Sequence, residues 1–282
     1  MASNWSILRV FRLSTLILFL FSASTSVANI KSVEFRFSLL SALSKYTEIA
    51  QFYEQNEFKP IWVGNNRSAK DRRSYFFKEL KNASAHALPI LTHDADYLKN
   101  QFRQARTASE LGLIEALITL KFIDYSSKIQ TGVLKPAAVD KEIVRKVPYR
   151  SVNAYLTTLT SVKPQEFFKG LHPQSKQYSS LISEKKRLEK IISQGGWFSD
   201  LPTELLRPGD IGNDVVLLRD ALIKRGYLKR NSSDIYDGKL RRAVQLFQLR
   251  HGLAPDGIAG PATFSEIAKT ADERLASVIV AL

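Results

Sequence analysis

The sequence contains no cysteine. That excludes a disulfide framework, and equally excludes thiolate catalysis and thiolate metal ligands. Histidine is scarce, with His86, His93, His172 and His251 the only four. A catalytic metal needs several converging ligands; His93-Asp94-Ala95-Asp96 is the one tempting cluster, and no second histidine follows it at helical spacing. Asp94 and Asp96 are instead expected to start a helix over DYLKNQFRQA, so no metal site, catalytic residue or cofactor is expected. A Gly-x-Ser-x-Gly elbow and a phosphate-binding loop are both missing. No pair of acids can be assigned to glycoside hydrolysis, and no stretch has the form of a nucleic-acid recognition helix or an aromatic RNA platform. Long apolar runs are absent as well: Leu13 to Phe21, with Ser14 and Thr15 inside it, falls well short of the roughly 20 residues a spanning helix needs.

What is present is a 282-residue chain, 44% apolar and 24% charged, which suits a globular protein of about two domains. Arg9 and Arg12 precede the short apolar run, and Ser26-Val27-Ala28 follows it as a small-residue cleavage site. Residues 1–28 therefore read as a signal peptide cut after Ala28, and the mature protein is expected in the periplasm or cell envelope. The alternative is an uncleaved anchor, and the membrane is otherwise not expected as a partner. The formal charge of +14 would suit nucleic acid, but an exported protein meets acidic headgroups and wall carboxylates first. A diffuse solubilising surface accounts for most such charges equally well, and nucleic acid is not expected as a partner.

Residues 29–199 read as helical. Tyr46, Ile49, Ala50 and Tyr53 fall on one face of a helix that stops at Phe58-Lys59-Pro60, where proline favours extended chain. Thr107 and Glu110 form a candidate capping box opening ELGLIEALITLKFIDYSSKI. Its apolar residues lie on more than one face, so it is expected at the centre of a core; Glu115, Lys121 and Asp124 argue against a membrane span. SVNAYLTTL and SSLISEKKRLEKIIS add two amphipathic segments. Turn formers at Gly195 to Pro202 mark a domain boundary.

Beyond it the spacing is legible residue by residue. Asn213 or Asp214 is expected to cap a helix whose Val215, Leu218 and Leu222 form a stripe. Gly226 suits a left-handed C-cap, with Tyr227 and Leu228 folding back. Asp237 opens a second helix with Leu240, Ala243, Val244 and Phe247 in register, and Gly252-Leu253 repeats the ending. Gly260-Pro261 starts a third helix, with Phe264 and Ile267 inward. Asp237-Gly238 and Asp256-Gly257 suggest a weak internal duplication.

From Leu206 to Ala268 these residues resemble the peptidoglycan-binding domain that accompanies many bacterial cell-wall enzymes. The match runs through Gly209-Asp210, Gly212, Asp214-Val215, Leu218, Gly226 to Leu228, Tyr236-Asp237, Ala243-Val244, Phe247-Gln248, His251 to Leu253 and Asp256 to Thr263. It implies peptidoglycan as the partner. Gly257 and Gly260 are expected to make a tight turn exposing backbone amides ahead of a helix start, a setting for anionic or amide-rich peptides. Gln248, Arg250, His251, Asp256, Gly257, Gly260 and Thr263 are the candidate ligand-binding residues. For each of the turn residues the alternative is that it only builds the turn.

FYEQNEFKPIW, Phe52 to Trp62, resembles the start of the helical scaffold in the large periplasmic L,D-transpeptidases, which cross-link wall peptides through a cysteine thiolate. Phe58, Pro60 and Trp62 are read as packing residues, a substrate contact being the alternative. The expected architecture is mainly α: a signal peptide at 1–28, a helical scaffold domain at 29–199, a small three-helix binding domain at 200–270, and at 271–282 a truncated helix of the kind that leads into the family's catalytic domain. Without cysteine that family's acyl-thioester cannot form. The expected function is therefore murein binding without catalysis, with a separate cell-wall enzyme as a potential partner. The alternatives are a hydrolase with an unrecognised, for example metal, site, and a gene remnant without function.

Overall fold

The computed structural model describes residues 32–88, 92–133, 150–197, 200–202 and 204–282. The signal segment and Ala28 lie outside the described residues, as does the side chain of His93. The described chain is helical, with two isolated antiparallel bridges, Leu206 with Ala259 and Ile211 with Ile235. It contains α1 (Val33–Ala42), α2 (Thr47–Gln55), α3 (Arg67–Lys81), a 3-10 turn (Ala83–His86), α4 (Thr92–Gln104), α5 (Ala108–Thr131), α6 (Val152–Ser161), α7 (Pro164–Leu171) and α8 (Lys176–Ser193). The small unit adds α9 (Asn213–Lys224), α10 (Gly238–Arg250) and α11 (Pro261–Ala268), and α12 (Ala271–Ala281) follows. None of these helices is long and apolar enough to cross a membrane.

Helix α5 is the axis of the first core. Its capping box forms as expected: the Thr107 hydroxyl accepts from the Glu110 amide, and Glu110 accepts from the Thr107 amide. Ile114, Ala116, Ile118, Phe122 and Tyr125 are buried around its circumference, because α1, α4, α6 and α7 all pack on it. At Gly112 a Cβ would stand 2.4 Å from the Phe35 carbonyl oxygen, so only glycine lets α1 approach this closely. Trp62, Phe76, Phe122 and Phe168 form an aromatic cluster with ring centroids 5.4–6.3 Å apart, each ring contributing a large buried apolar area.

Glu115, which the apolar pattern marks as an interruption, is fully buried and organises the FKPIWVG segment. Its Oε1 accepts from the Tyr53 hydroxyl at 2.7 Å and from the Ile61 amide at 2.6 Å; its Oε2 accepts from the Trp62 and Val63 amides at 3.1 and 2.9 Å. The opposite edge of the same segment is held by cations: Arg72 donates to the Ile61 carbonyl at 2.7 Å, and Arg73 to the carbonyls of Trp62 and Gly64. Burial raises the Glu115 pKa, against the lowering effect of these donated bonds. Trp62, fully buried, also donates from Nε1 to Thr119 at 3.0 Å. The packing reading holds for Trp62, while Phe58 and Pro60 are half-buried. Tyr46 corrects the expectation for α2: it precedes the first turn and is 48% exposed, so the inward face is Ile49, Phe52 and Tyr53.

The second core gathers Leu206, Val215, Leu218, Leu222, Tyr236, Leu240, Val244, Phe247, Phe264 and Ile267. Gly226 and Gly252 have left-handed φ, and the amides of Tyr227 and Leu253 reach back to Leu222 and Gln248 at 2.9 and 2.8 Å, completing two equivalent Schellman endings. Two expectations fail here. The N-cap of α9 is Gly212 and gives no side-chain bond, so neither Asn213 nor Asp214 caps it; the chain enters at φ 137°, and the Gly212 amide is tied to the Asp234 carbonyl at 3.0 Å. The two Asp-Gly pairs also differ in form. Asp237 caps α10 directly, with Gly238 its first helical residue, whereas Asp256-Gly257 makes a turn ahead of α11.

After α8, Trp197 lies between two guanidinium groups, Arg187 at 5.5 Å and Arg225 at 5.2 Å from its ring centroid. Helix α12 packs back against α8. Arg274 on α12 in turn pairs with Glu266 on α11 at 2.6 Å, so one helix braces both units.

Candidate functional site

Gln248 sits at the centre of the turn expected to meet the ligand. Its Oε1 accepts the Gly257 amide at 2.9 Å; its Nε2 donates toward Asp256 Oδ1 and the Ile258 carbonyl, both at 2.9 Å, and lies 3.2 Å from Thr263 Oγ1. Asp256 also accepts the Ile258 amide at 2.8 Å, and the Tyr236 hydroxyl donates to the Gly257 carbonyl at 2.9 Å. Ala259 closes the arrangement by exchanging both backbone bonds with Leu206, at 2.9 and 3.0 Å. Hydrogen bonds to the carboxylate hold the Asp256 pKa below the ordinary range, the Ile258 amide contributing most and Gln248 next.

This geometry corrects the role expected of the turn. The amides of Gly257, Ile258, Ala259 and Gly260 are all taken by acceptors within the protein, so the turn does not expose a cradle of donors. Gln248 and Thr263 are buried with their polar atoms engaged, and Gly257 lies under the Arg241 and Gln245 side chains. These residues build the turn, because a buried amide, hydroxyl or backbone group must find a partner within reach. Gly260 is the N-cap of α11 without a side-chain bond, and Pro261 occupies the first turn as expected. The first-turn amides of Ala262 and Thr263 have no acceptor among the described residues.

Arg250 and His251 belong to a second group at the end of α10. His251 rests on Phe247 with ring centroids 4.2 Å apart; its Nε2 is 3.1 Å from the Tyr227 hydroxyl and its Nδ1 3.4 Å from Glu266. Arg250 covers the outer face of the Tyr227 ring at 5.6 Å. Burial lowers the His251 pKa, reinforced by the nearby Arg274. Residue spacing does not single out Ile211 and Ile235, yet the structure pairs them in one bridge with 69% and 45% exposure. The signal was available only as two isoleucines at loop positions of a binding module.

His86 and His172 are structural. His86 and His172 meet edge to face at 4.4 Å; His86 Nδ1 is 2.5 Å from the Tyr178 hydroxyl, and His172 Nε2 is 3.0 Å from Glu79, which also accepts from Tyr125 at 2.9 Å. Among the described residues no group of acids and histidines is arranged to hold a metal. Asp94 pairs with Lys121 at 2.8 Å and Asp96 with Lys81 at 3.0 Å, the first from the opening turn of α4 and the second from deeper in it.

Burial, aided by repulsion from His172, lowers the His86 pKa to about 4. A histidine kept neutral by folding stabilises the protein fully above its ordinary value near 6.5, and that contribution fades as pH falls toward 4. The urea midpoint is accordingly expected to drop between pH 7 and pH 5, and to drop less in His86→Gln. Equal drops in the two proteins would contradict the assignment.

Residues 47–184 match the family model described as a scaffold domain, and residues 211–267 match that of a peptidoglycan binding domain. No curated protein matches the chain. The first match spans α2 to α8 up to Glu184, and the second holds the Gln248 turn and all seven candidate residues. The chain thus joins a scaffold domain to a peptidoglycan-binding domain.

Proposed function

We propose that the protein binds murein in the cell envelope through its C-terminal module and that these 282 residues do not alter what they bind. The observation carrying this reading is the peptidoglycan-binding domain at 211–267, with its turn fixed by Gln248. The absence of cysteine supports the non-catalytic part, since the scaffold's likeness to L,D-transpeptidases brings no thiolate with it. The leader-like sequence at residues 1–28 supports a location in the periplasm. In this reading Arg250, Asp256 and the uncapped start of α11 offer polar contacts, with the positive end of the helix facing carboxylates of the wall peptide. Gln248, Gly257, Gly260 and Thr263 act by shaping that surface, and His251 by holding Tyr227 beneath Arg250.

Sedimentation with insoluble sacculi tests it. The protein is expected in the pellet at moderate salt, and protein wholly in the supernatant would reject the reading. Incubation with purified murein in the presence of divalent metals is expected to release no new fragments by mass spectrometry; new fragments would make the chain an enzyme.

A further inference from the structure

Helices α3 and α4 enclose a groove of about 490 Å³ whose walls are cationic. Lys70, Lys78 and Lys81 come from α3, Lys99 and Arg103 from α4, and no carboxylate lines it. Phe77 and Phe102 supply its apolar surface. Arg73 is already committed, donating to the 62–64 segment and lying over Phe102 at 4.2 Å. Lys81 is paired with Asp96. Among the described residues, the side chains of Lys70, Lys78, Lys99 and Arg103 have no ion-pair partner.

Like charges three and four residues apart on one helix, as at Lys78/Lys81 and Lys99/Arg103, repel one another and weaken the helix rather than support it. Nearby acids exist, but Asp94 turns to Lys121 and Asp71 to Arg67, at 2.8 and 3.8 Å, so the groove stays positive. Its size is that of a ligand site rather than a packing defect. From Lys70 to Lys81 the helical rise covers about 16 Å, the reach of roughly five extended residues. An extended chain sends successive side chains to opposite sides, so adjacent carboxylates would face the α3 and α4 walls in turn. A single lipid phosphate at a flat surface cannot meet both walls.

We propose that this groove docks an extended, Asp/Glu-rich segment of a partner protein. The site is separate from the murein-binding module and does not depend on it.

Fluorescence anisotropy of the full chain with a fluorescein-labelled peptide of six glutamates tests the proposal. Binding is expected to weaken with salt and to weaken about tenfold in Lys70→Gln/Lys78→Gln/Lys99→Gln, which removes three of the cations lining the groove. The control Lys176→Gln/Lys186→Gln/Lys190→Gln removes the same charge from exposed positions on α8 and is expected to change binding less than twofold. The groove variant is expected to melt no lower than the parent. Equal weakening in both triple variants would assign the binding to general charge, and a lowered melt would assign the lysines to the fold. Displacement of the peptide by soluble muropeptides would assign the groove to the wall. Groove-dependent binding to phosphatidylglycerol vesicles without peptide binding would assign it to lipid. Each of these four results overturns the proposal, and none of them bears on pelleting with sacculi through the module.

Discussion

Glu115→Leu is expected to destabilise the protein by about 4 kcal/mol. The carboxylate satisfies three consecutive amides and the Tyr53 hydroxyl in a fully buried position. Leucine fills similar space but leaves the three amides without acceptors, each costing on the order of 1–3 kcal/mol, while the Tyr53 hydroxyl keeps Thr119 Oγ1 at 2.7 Å. It also leaves Arg72 and Arg73 without the negative charge that faces them across the segment. Tyr53→Phe deletes one donor and keeps the carboxylate, so about 1 kcal/mol is expected. Urea unfolding of both variants measures the contrast. A midpoint for Glu115→Leu no lower than for Tyr53→Phe would mean that the 61–63 segment does not depend on this acid.

Gly257→Val is expected to unfold the binding module while sparing the scaffold. The residue has φ 77°, where a β-branched side chain is strongly disfavoured. An added Cβ would meet Arg241 Cγ at 2.8 Å and Gln245 Cγ at 3.0 Å. Relief requires moving the turn, which breaks the bonds to Gln248 and Tyr236. Strain of this kind costs roughly 1–3 kcal/mol before the lost bonds are counted, and a unit of this size has little stability in reserve. Circular dichroism should then show an earlier partial melt, and pelleting with sacculi should fall. An unchanged melt together with unchanged pelleting would contradict the central place given to this turn.

These two residues show how differently the sequence discloses its parts. Gly257 is legible: it stands between a spaced apolar stripe and a Gly-Pro helix start, so the turn, the helices beside it and the resemblance all follow from local pattern. Periodicity reports which face of a helix avoids water, and capping reports where backbone donors need partners; both act over a few residues. Thus α5, with its Thr107–Glu110 box, and α10, with Asp237, lie where the pattern puts them. Glu115 is not legible in the same way. An acid within an apolar helix reads as an interruption, and only the approach of residues 61–63, more than 50 positions away, turns it into a buried acceptor.

The candidate site divides along the same line. The structure brings Gln248, Asp256, Gly257 and Thr263 together at one turn and sets Arg250 and His251 apart at the end of α10; sequence spacing cannot show that Gln248 spends both ends of its amide on the turn, nor that the amides of residues 257–260 are consumed internally. Those facts depend on the register between α10 and the loop, which is set by packing. The N-cap of α9 failed for a related reason: the pairing of residues 209–212 with 234–236 fixes the entry path, so Gly212 takes the position that Asn213 or Asp214 suits by propensity. Tyr46 failed because the chain reverses just before α2 and leaves it outside the core.

By itself the sequence determined the mainly helical class, the three short helices of the module and the exclusion of thiol chemistry, because each is a matter of composition or of neighbours within a turn or two. Tertiary structure alone decided that Glu115 staples a distant segment, that α12 braces the module to α8, and that the lysines of α3 and α4 line one groove. Those outcomes depend on which surfaces meet across long separations, and the energy of a buried carboxylate or of facing cations is fixed by its surroundings rather than by its place in the chain.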